Sequence, residues 1–558
     1  MKKLPSGVSD YEKLVTQDYY YVDKTEYIEK LENYPNSNVM FLRPRKFGKT
    51  LFTSTLENYY DIKKSDKFEM LFGDKYIGKN PTKIKNSYHI LKFNFSGIDT
   101  SNIEVTLHSF KREVGSSINF FAQNYGLDFF VNMEDDAENI LDNLFKAFRH
   151  QRPENKIYVI IDEYDHFANE LLGFNVSGFK DLVSKNGKVR KWYEILKKGT
   201  ESVVDRIFIT GVAPITLDGL TSGFNIVSDI TRDFRFNEMM GFTKEELINL
   251  MKAQNITDEE IESLLPIMKE NYDGYKFTEN AAERIYNSNM SLYFLNEYMA
   301  LGGFPTKMVD VNIASDYEKI GRMLSLCKGE KRLQILEDVI SSDGVFGEII
   351  QKFNPAVDFG DKEMTSMLYY LGYLTEEESI GGVSKLVIPN KIMREIYSDY
   401  FLKVIKESFD IMPNVNYAEL AVEVLKEGDI EKIINILKEY LQGLSNRDYQ
   451  RFDEKYVKLL FYAISKNLNV VYNIKSELEV QRKYPDILLV PKVQGNYYSI
   501  MIEFKYLKKE NANKLEEKQK EARLQIEEYA SFEEIKNIPN LRKYIVVAVN
   551  DETYVEEV

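Results

Sequence analysis

Phe41-Leu-Arg-Pro-Arg-Lys-Phe-Gly-Lys-Thr50 is the stretch that decides the fold in the first half of this 558-residue chain. It overlaps an apolar run, Val39–Leu42, that predicts a strand, and the residues after it have the pattern of a helix. A glycine and a lysine between a strand and a helix are typical of a phosphate-binding loop. In such a loop we expect Gly48 to let the backbone approach the phosphates, Lys49 to reach the β- and γ-phosphates, and the Thr50 hydroxyl to bind magnesium.

A second strand supports this interpretation. Lys156-Ile-Tyr-Val-Ile-Ile-Asp162-Glu163 is an apolar run that ends in two adjacent carboxylates. Asp162 is expected to hold magnesium through water, and Glu163 to orient or deprotonate the water that attacks the phosphate. Taken alone, the segment is explained equally well as a buried strand that ends in a capping acid. The loop alone is also weak evidence, because Arg43 stands where the usual pattern has its first glycine.

The third strand of this series, Arg206–Gly211, carries Thr210 near its end, where a sensor of the γ-phosphate would lie. Three strands in this order, each polar at its carboxyl end, favour an ATP-binding site over coincidence, because ligands of open α/β sheets bind at that edge. Strands that alternate with helices predict a parallel sheet with helices on its faces. The predicted elements are the strands Val39–Leu42, Ile90–Phe95, Ile157–Asp162 and Arg206–Gly211 and the helices Thr50–Tyr60, Val105–Tyr125 and Ala137–His150.

A second set of charged residues lies on two apolar runs near the end of the chain. Asp486 follows Pro485, and Glu503 and Lys505 belong to the run Ile500-Met-Ile-Glu-Phe-Lys505. Residues two apart face the same side of a strand, so Glu503 and Lys505 are expected to lie together. Asp486 joins them if the two strands are antiparallel neighbours. Two carboxylates at one place are costly unless a cation neutralises them, which predicts a Mg²⁺ or Mn²⁺ site. Lys505 would then position or activate water for attack on a phosphodiester.

The simpler alternative for this second set is a strand end with an exposed charge pair, since Glu-x-Lys tripeptides are common. A Pro-Asp pair followed 17 residues later by Glu503, with both on apolar runs, favours the metal site. Glu454, on a preceding predicted helix, is a candidate further ligand. Gln525 and Tyr529 lie one turn apart on the following helix and are candidate accessory residues.

Composition limits the kind of protein. With 44% hydrophobic and 29% charged residues, the chain has the balance of a globular protein and the length of several domains. One cysteine and four histidines exclude a disulfide framework and argue against zinc, so the ligands of any metal are expected to be oxygens. A net charge of −15 argues against a surface that coats nucleic acid throughout. No long apolar segment occurs, so we expect a cytoplasmic protein with no membrane contact.

The pattern along the chain predicts an α/β multidomain protein. We expect a P-loop NTPase domain with a parallel sheet over residues 1–236, a helical lid over 237–355, a winged-helix-like unit over 356–410 and a restriction-endonuclease-like α/β domain over 411–558. Thr243 and Glu246 have the spacing of a helix-capping box at the start of the lid. The winged-helix-like unit is predicted from a helix at Lys362–Leu371, two short strands and a helix from Asn390. Such units bind DNA or pack against an ATPase, and this one is not basic enough to favour DNA.

The C-terminal part has its own predicted order of elements. Three helices come first, followed by three strands, a long helix and a last strand. These are the helices Ala418–Gly428, Glu431–Gly443 and Asp453–Lys466, the strands Val470–Val480, Asp486–Val490 and Tyr497–Phe504, the helix Leu515–Tyr529 and the strand Tyr544–Val549.

Several segments together resemble the prokaryotic AAA-ATPase-like family whose members carry a PD-(D/E)xK nuclease-superfamily domain at the C-terminus. They are YYYVDKT (Tyr19–Thr25), RPRKFGKT (Arg43–Thr50), IIDEYD (Ile160–Asp165), ITGVAPITLDGLTSGFNI (Ile209–Ile226) and RFNEMMGFTKEE (Arg235–Glu246). The resemblance covers essentially the whole chain, and it implies that an arginine in place of the first glycine is typical of the family.

The resemblance also implies roles for residues that the pattern alone does not single out. Arg43 and Arg45 are expected among the nucleotide-binding residues, and Asp23 and Lys24 near the nucleotide. Arg232 or Arg235 is expected to sense phosphate. The segment Tyr272–Phe277 is expected in the lid. Arginines and tyrosines on a domain surface usually have structural roles, which is the alternative for these residues.

The leading hypothesis is an ATP-regulated, metal-dependent nuclease with ATP and Mg²⁺ or Mn²⁺ as cofactors. DNA is favoured over RNA as its substrate, and the family-level expectation is a role in defence against foreign DNA or in mobile-element biology. The alternative is a nucleotide-dependent switch or scaffold whose nuclease-fold domain binds a partner without cleavage. A third hypothesis is an ATPase with an unrelated α/β appendage. A homo-oligomer is left open, because arginine fingers of related ATPases often act across a subunit interface.

Overall fold

A computed structural model describes residues 2–167, 187–214, 225–305, 307–309, 335–336, 338–340, 344–353, 360–409, 415–443, 453–476 and 485–558. Several predictions fall outside these residues: part of the segment Ile209–Ile226, much of the lid after residue 309, Cys327, and the end of the strand expected at Val470–Val480. The chain forms two compact units. The first comprises Met1–Lys328 with Val345–Ile392, and the second comprises Gly329–Gly344 with Met393–Val558.

The first unit is built on a five-stranded sheet in which every pairing is parallel, as the alternation of strands and helices predicted. Its strands are β1 (Asn38–Leu42), β2 (Tyr88–Asn94), β3 (Lys156–Asp162), β4 (Val204–Gly211) and β5 (Ser228–Asp229), in the order β2-β3-β4-β1-β5. Because all the strands run in one direction, their carboxyl ends meet at one edge. That edge carries the loop after β1 and the two carboxylates after β3.

Helices cover this sheet. They are α1 (Tyr11–Thr16), α2 (Glu26–Glu32), α3 (Lys49–Tyr60), α4 (Phe68–Phe72), α5 (Tyr76–Lys79), α6 (Ile103–Tyr125), α7 (Ala137–Gln151) and α8 (Lys188–Gly199). The ends of α6 show why it forms there. The Asn102 side chain accepts a hydrogen bond from the Val105 N–H, and Gly126 ends the helix with a φ of 61°. On α8, Trp192 is fully buried, with its ring edge-on to Phe93 of β2.

Three helices follow the sheet within the part of the lid that the structure describes. They are α9 (Lys244–Ala253), α10 (Asp258–Tyr272) and α11 (Ser288–Leu301). The capping box predicted at Thr243 and Glu246 is confirmed, and Thr257 and Glu260 form a second one before α10. A capping box satisfies amide groups that the first turn leaves without helical partners, and so fixes where each helix begins.

A small antiparallel sheet follows in the order β6-β8-β7. Its elements are β6 (Val345–Gly347), α12 (Asp361–Tyr370), β7 (Thr375–Ile380), β8 (Val383–Val387) and α13 (Lys391–Phe409). The helix, two strands and helix expected of a winged-helix-like unit therefore occur in that order. The boundaries of the four domains remain predictions.

The second unit contains a mixed sheet in the order β13-β12-β11-β10-β9. Only β11 and β12 pair in parallel. The strands are β9 (Tyr472–Lys475), β10 (Ile487–Pro491), β11 (Ser499–Leu507), β12 (Leu541–Val549) and β13 (Glu552–Glu557). The helices are α14 (Tyr417–Glu427), α15 (Glu431–Gly443), α16 (Glu454–Ser465), α17 (Leu515–Ala530) and α18 (Glu533–Lys536). One core cluster joins Leu488 and Met501 of the sheet to Ala522 and Ile526 of α17.

A search of the described residues finds no helix with the length and apolar character that crossing a membrane requires.

Two candidate functional sites

The loop between β1 and α3 has the backbone geometry of an anion-binding turn. Lys46 and Gly48 have positive φ values of 69° and 96°. At Gly48 the angle, not space, requires glycine, because an added Cβ would meet only the Ser288 hydroxyl at 4.0 Å. The loop ends in the first turn of α3, where the amide groups are available to a negatively charged ligand.

A cavity of about 480 Å³ opens beside this loop. Small-molecule sites commonly have volumes of about 300–1,000 Å³, so the cavity is large enough for a ligand of nucleotide size. Its charged and polar lining comes from the segment before α2, from the loop and the start of α3, from the ends of β2 and β3, and from α11. It includes Lys24, Arg45, Lys49, Thr50, Asn94, Glu163, His166 and Ser288. Its apolar lining includes Val8, Tyr20, Met239, Phe242 and Leu250.

Lys49 is buried inside the loop. Its Nζ donates to the carbonyl oxygens of Arg43 at 3.1 Å and Pro44 at 3.2 Å, and lies 3.7 Å from Glu163 Oε1. Carbonyl oxygens are weaker partners for an ammonium group than phosphate oxygens are. Lys49 is therefore placed to exchange these contacts for a phosphate in the cavity.

Asp162 and Glu163 are neighbours with opposite pKa shifts. Burial, followed by the charge of Glu163, raises the pKa of Asp162, while Thr50 and Lys49 act against that rise. Burial also acts to raise the pKa of Glu163, but Lys49, Arg45 and His166 outweigh it, and the pKa falls below its ordinary value. Glu163 also has a φ of 54°, a strained angle for a residue other than glycine. Two carboxylates with divergent pKa values are a common arrangement at catalytic sites.

The residues at this site fit a magnesium nucleotide. Both carboxylate oxygens of Asp162 are buried and lack a hydrogen-bond partner among the described residues. A buried carboxylate without a partner is costly, and a cation would relieve that cost. The Thr50 hydroxyl, a usual magnesium ligand, lies close enough to act on Asp162.

Arg43 has a different environment from the one expected. Its guanidinium is buried and donates to the carbonyl oxygens of Leu42, Thr231, Phe236 and Asn237 at 2.9–3.3 Å. Burial lowers its pKa to about 9, so it remains a cation at neutral pH. The side chain points into the protein and only Arg45 of the two lines the cavity, so a contact of Arg43 with the nucleotide stays a prediction.

The rings around Arg43 connect the loop to the lid segment Tyr272–Phe277. The Arg43 guanidinium lies 4.0 Å from the centre of the Phe41 ring and 4.1 Å from that of Phe277. Phe47 of the loop packs edge-on against Tyr275, with 4.9 Å between ring centres. The segment expected in the lid is thus packed on the phosphate-binding loop.

Thr210 is fully buried, and its hydroxyl donates to the Phe41 carbonyl at 2.9 Å. Asp23 accepts hydrogen bonds from the backbone N–H groups of Thr25 and Tyr76. Neither residue belongs to the cavity lining. Their observed contacts hold one strand against its neighbour and one turn in place, so a direct contact of either with the nucleotide stays a prediction.

Lys24 lies at the cavity, as the resemblance implied. Its Nζ donates to Glu246 Oε2 at 2.7 Å and to the Glu238 carbonyl at 2.8 Å. Burial lowers its pKa, and Glu246 acts against that shift. Because Glu246 belongs to the capping box of α9, Lys24 joins the N-terminal segment to the first helix of the lid.

The two candidate phosphate-sensing arginines are both held by carboxylates. Arg232 donates to the two oxygens of Glu376 at 2.7 and 3.0 Å, and Arg235 donates to Asp233, with a closest contact of 2.5 Å. Glu376 is fully buried, which makes its pair with Arg232 a structural link between the end of the sheet domain and β7. Neither arginine lines the 480 Å³ cavity.

The sequence did not single out Asn94, Ser96, His166 or Ser288, all of which line the cavity. Asn94 ends β2 and pairs in register with Asp162 of β3. A polar residue at the end of a predicted strand was the available signal for it. Ser288 begins α11 and donates to the Lys46 carbonyl at 3.1 Å, a long-range contact that no local pattern indicates.

The second candidate site forms where β10 and β11 pair antiparallel, with Ile487 opposite Ile502. This register brings Asp486 to β11, where its Oδ2 accepts the Phe504 N–H at 2.6 Å. Lys505 Nζ lies 3.0 Å from Glu503 Oε1, as their spacing on one strand predicted. Asp486, Glu503 and Lys505 are all at least 96% buried. The structure therefore brings the three expected residues together.

Helix α16 adds two side chains to this site. Glu454 Oε1, which the sequence suggested as a ligand, lies 3.5 Å from Lys505 Nζ and 3.1 Å from Lys458 Nζ. Lys458 Nζ also lies 2.6 Å from Asp486 Oδ1. The sequence analysis missed Lys458. The available signal was its position one helical turn after Glu454, which places the two side chains on one face.

The charges at this site are strongly perturbed. Burial, followed by the charge of Glu503, raises the pKa of Asp486 well above its ordinary value, and Lys458 acts against the rise. Burial likewise raises the pKa of Glu503, opposed chiefly by Lys505. Close carboxylates in a buried place disfavour ionisation of both, and each lysine offsets part of that cost.

The residues as arranged do not fit a divalent cation. Glu503 Oε2 is buried and has no hydrogen-bond partner among the described residues, so it is a suitable ligand. Asp486 Oδ1 likewise accepts no hydrogen bond among these residues, but the Lys458 ammonium lies 2.6 Å from it as an ion pair. Within the described ranges, no group of three or more His, Cys, Asp or Glu side chains is arranged to hold a metal ion.

The two accessory candidates lie on α17. Gln525 Oε1 is buried, without a hydrogen-bond partner in the part of the chain that the structure describes. Tyr529 belongs to the core cluster that includes Leu488 and Met501. Tyr529 is thus part of the packing of α17 on the sheet, and the accessory roles of both residues stay predictions.

The parallel sheet with its phosphate-binding loop, and the mixed sheet with its buried carboxylates and lysines, define a protein with an ATPase-like and a nuclease-like domain. Comparison with known families agrees. The family described as "Predicted AAA-ATPase" matches residues 5–221, and the PD-(D/E)XK nuclease superfamily matches residues 452–557. The chain carries an AAA-ATPase-like domain followed by a PD-(D/E)XK nuclease-superfamily domain at the C-terminus.

Among curated proteins, the chain is similar to an uncharacterized protein encoded in the vnfD 5′ region of Azotobacter chroococcum mcd 1. The two are 23% identical over 393 residues, which cover 69% of this chain and 65% of the relative. The chain thus spans slightly less than two thirds of that relative's length.

Proposed function

We propose that the chain binds and hydrolyses ATP at its N-terminal site and that its C-terminal domain cleaves phosphodiester bonds of nucleic acid, DNA in preference to RNA. The observation that carries the proposal is the buried Asp162 carboxylate without a hydrogen-bond partner, beside Lys49 and Glu163 at the phosphate-binding loop. We further propose a cytoplasmic protein with a role in defence against foreign DNA or in mobile-element biology, and with a homo-oligomer as one arrangement of the ATPase.

At the N-terminal site, the amide groups around Gly48 and the Lys49 ammonium would bind the phosphates. Thr50 and Asp162 would hold magnesium, which neutralises phosphate charge when bound. Glu163 borders the cavity and its pKa is lowered, and it would orient a water molecule and accept its proton. Arg45 would add positive charge at the same wall.

At the C-terminal site, Lys505 is the residue best placed to act on a phosphodiester. Its ammonium is fixed by Glu503 and Glu454 at 3.0 and 3.5 Å. A cation held in a buried place can orient a water molecule and stabilise the negative charge that develops on the phosphate. We propose a requirement for Mg²⁺ or Mn²⁺ in this cleavage.

The test is a cleavage assay on mixed DNA and RNA substrates, with and without ATP, in Mg²⁺ or Mn²⁺. We expect Lys505→Ala and Asp486→Ala to lose about 100-fold or more of the wild-type rate, the usual scale for a group that acts in proton transfer or charge stabilisation. Lys509→Ala removes an exposed lysine near the same strand and should cleave like wild type. Equal cleavage by all four proteins would contradict the site assignment.

The alternative function is a nucleotide-dependent switch whose nuclease-fold domain binds a partner without cutting it. The pairing of Lys458 with Asp486 favours this alternative, because a lysine already neutralises one of the two key carboxylates. It predicts that Lys49→Ala abolishes nucleotide binding and that the wild-type protein cleaves no substrate with any metal tested.

A further inference from the structure

We infer that Lys458 is a built-in counter-cation of the C-terminal site: its ammonium holds the place between Glu454 and Asp486 that a divalent cation would take, so that a metal binds only when Lys458 leaves Asp486. The inference rests on the proposed nuclease site and identifies a residue that controls its metal affinity. With Lys458 on Asp486 the domain would not cleave, and with a metal at Asp486 it would be able to cleave.

The contacts of Asp486 leave one oxygen for a cation. Its Oδ2 accepts the Phe504 N–H at 2.6 Å, which fixes the carboxylate on β11. Its Oδ1 lies 2.6 Å from Lys458 Nζ. Magnesium and calcium bind carboxylate oxygens at about 2.0–2.6 Å, so an ammonium this close to Oδ1 takes up the space of a metal bound there. Two cations on one oxygen would also repel each other strongly in a buried site.

The charges of the site explain why a lysine at this position is stabilising. The site holds three carboxylates, Glu454, Asp486 and Glu503, and two lysines, Lys458 and Lys505. The two ammonium groups offset two of the three negative charges in surroundings where uncompensated charge is costly. A divalent cation together with Lys505 alone would offset all three. Exchange of Lys458 for a metal is therefore favourable in charge, and the ion pairs of Lys458 with Asp486 and Glu454 oppose it.

The geometry also provides a route for Lys458 to leave. Glu454 and Lys458 stand one turn apart on α16, and their oxygen and nitrogen are 3.1 Å apart. The Glu454 side chain is 33% exposed, against 1% for Asp486, so Glu454 lies toward solvent. A lysine has a flexible four-carbon stem, so Lys458 can give up Asp486 and move out past Glu454 toward solvent.

The test is calorimetric titration of the full chain with MnCl₂ in the absence of nucleotide. Lys458→Met keeps the length of the side chain and removes its charge, and we expect it to bind Mn²⁺ about tenfold more tightly than wild type or more. Lys455→Met, an exposed change of the same kind on the same helix, should match wild type. The gain should vanish in Lys458→Met combined with Asp486→Asn, which identifies the metal as bound at Asp486.

Thermal unfolding provides the second measurement. In EDTA we expect Lys458→Met to melt below wild type, because the buried Asp486 carboxylate loses its counter-charge, and we expect Mn²⁺ to restore the melting temperature. An affinity equal to or below that of wild type would overturn the inference, and so would a destabilised or unfolded variant that Mn²⁺ does not rescue. If no form of the protein binds Mn²⁺ at Asp486, the metal requirement in the proposed function fails as well; if wild type binds it and Lys458→Met gains nothing, only this inference fails.

Discussion

Arg43 and Arg45 stand two positions apart in the same loop, and the structure gives them different surroundings. Arg43 is fully buried and donates to backbone carbonyls, whereas Arg45 lines the nucleotide-sized cavity. The guanidinium of Arg43 ties the end of β1 to the carbonyl oxygens of Thr231 and Asn237. The two arginines of one sequence motif thus differ: Arg43 has structural contacts, and Arg45 faces the cavity.

This difference predicts that substitution by methionine has different effects at the two positions. Arg43→Met keeps the apolar stem between Phe41 and Phe277 but leaves buried carbonyls without donors, so we expect a loss of about 3 kcal/mol or more in stability. Arg45→Met should change stability by less than about 0.5 kcal/mol and weaken ATP binding about tenfold. Urea unfolding followed by the fluorescence of Trp192, the single tryptophan, measures the first effect, and nucleotide titration measures the second. Similar stability losses in both variants would contradict this division of roles.

The sequence predicted the candidate site residues unevenly, for a physical reason. Lys49, Thr50, Asp162, Asp486, Glu503 and Lys505 could be found because strand alternation and strand ends place them together. Arg43 could not be assigned, because the direction of a side chain depends on carbonyls 188 or more positions away. Lys458 was missed because its partner Asp486 comes from another element. Contacts between residues that are far apart in the sequence produce no periodic pattern by which they could be predicted.

At the scale of elements, His89 of β2 packs this edge of the sheet against two long helices. Its ring packs on Tyr125 of α6 and edge-on to Phe148 of α7, with ring centres 4.6 and 5.1 Å apart. Its Nδ1 is buried and has no hydrogen-bond partner among the described residues. Burial, followed by the charge of Arg152, lowers the pKa of His89 from 6.5 to about 4. The imidazole is therefore neutral in the folded protein at neutral pH.

The shift predicts how stability depends on pH. Between about pH 6.5 and 4 the unfolded chain binds a proton at His89 that the folded protein does not, so stability falls as the pH falls. From pH 7 to pH 5 we expect this residue to cost about 2 kcal/mol. His89→Phe keeps the aromatic packing and removes the titration. Its urea midpoint, read from Trp192 fluorescence, should fall less than that of wild type over this range; equal falls would show that other groups control the pH dependence.

The elements themselves were largely predictable. The predicted strand Ile90–Phe95 is observed as Tyr88–Asn94, and the predicted helix Glu431–Gly443 has the same bounds in the structure. The sequence pattern did not predict β13 (Glu552–Glu557), three of whose six residues are glutamates. Pairing with β12 supplies the hydrogen bonds that its composition does not suggest. Periodicity thus predicted most strands of the two five-stranded sheets, but it missed the exposed edge strand β13 and the helix α8, whose Trp192 is fully buried.

At the scale of the whole molecule, the chain combines two sites of different chemistry in two compact units. The N-terminal site has an unpartnered buried carboxylate that favours a cation, whereas the C-terminal site has its carboxylates partly neutralised by lysines. The first thus has a place for a cation, whereas in the second Lys458 holds the place that we infer for one. Regulation of the second site by nucleotide at the first, the leading hypothesis from the sequence, stays a prediction.

Coupling of this kind can be tested with variants of the N-terminal site alone. Glu163→Gln should bind ATP and hydrolyse it about 100-fold more slowly or worse, because it lacks the base, while Lys49→Ala should not bind ATP. If ATP binding controls cleavage, saturating ATP should change the wild-type cleavage rate about fivefold or more, within the usual range of coupling between sites. Glu163→Gln should show the same change without ATP turnover, and Lys49→Ala should show none. A cleavage rate that is indifferent to ATP in all three proteins would mean that the two sites act independently. A response in wild type that Glu163→Gln lacks would mean that hydrolysis, and not binding, is the step that controls the nuclease.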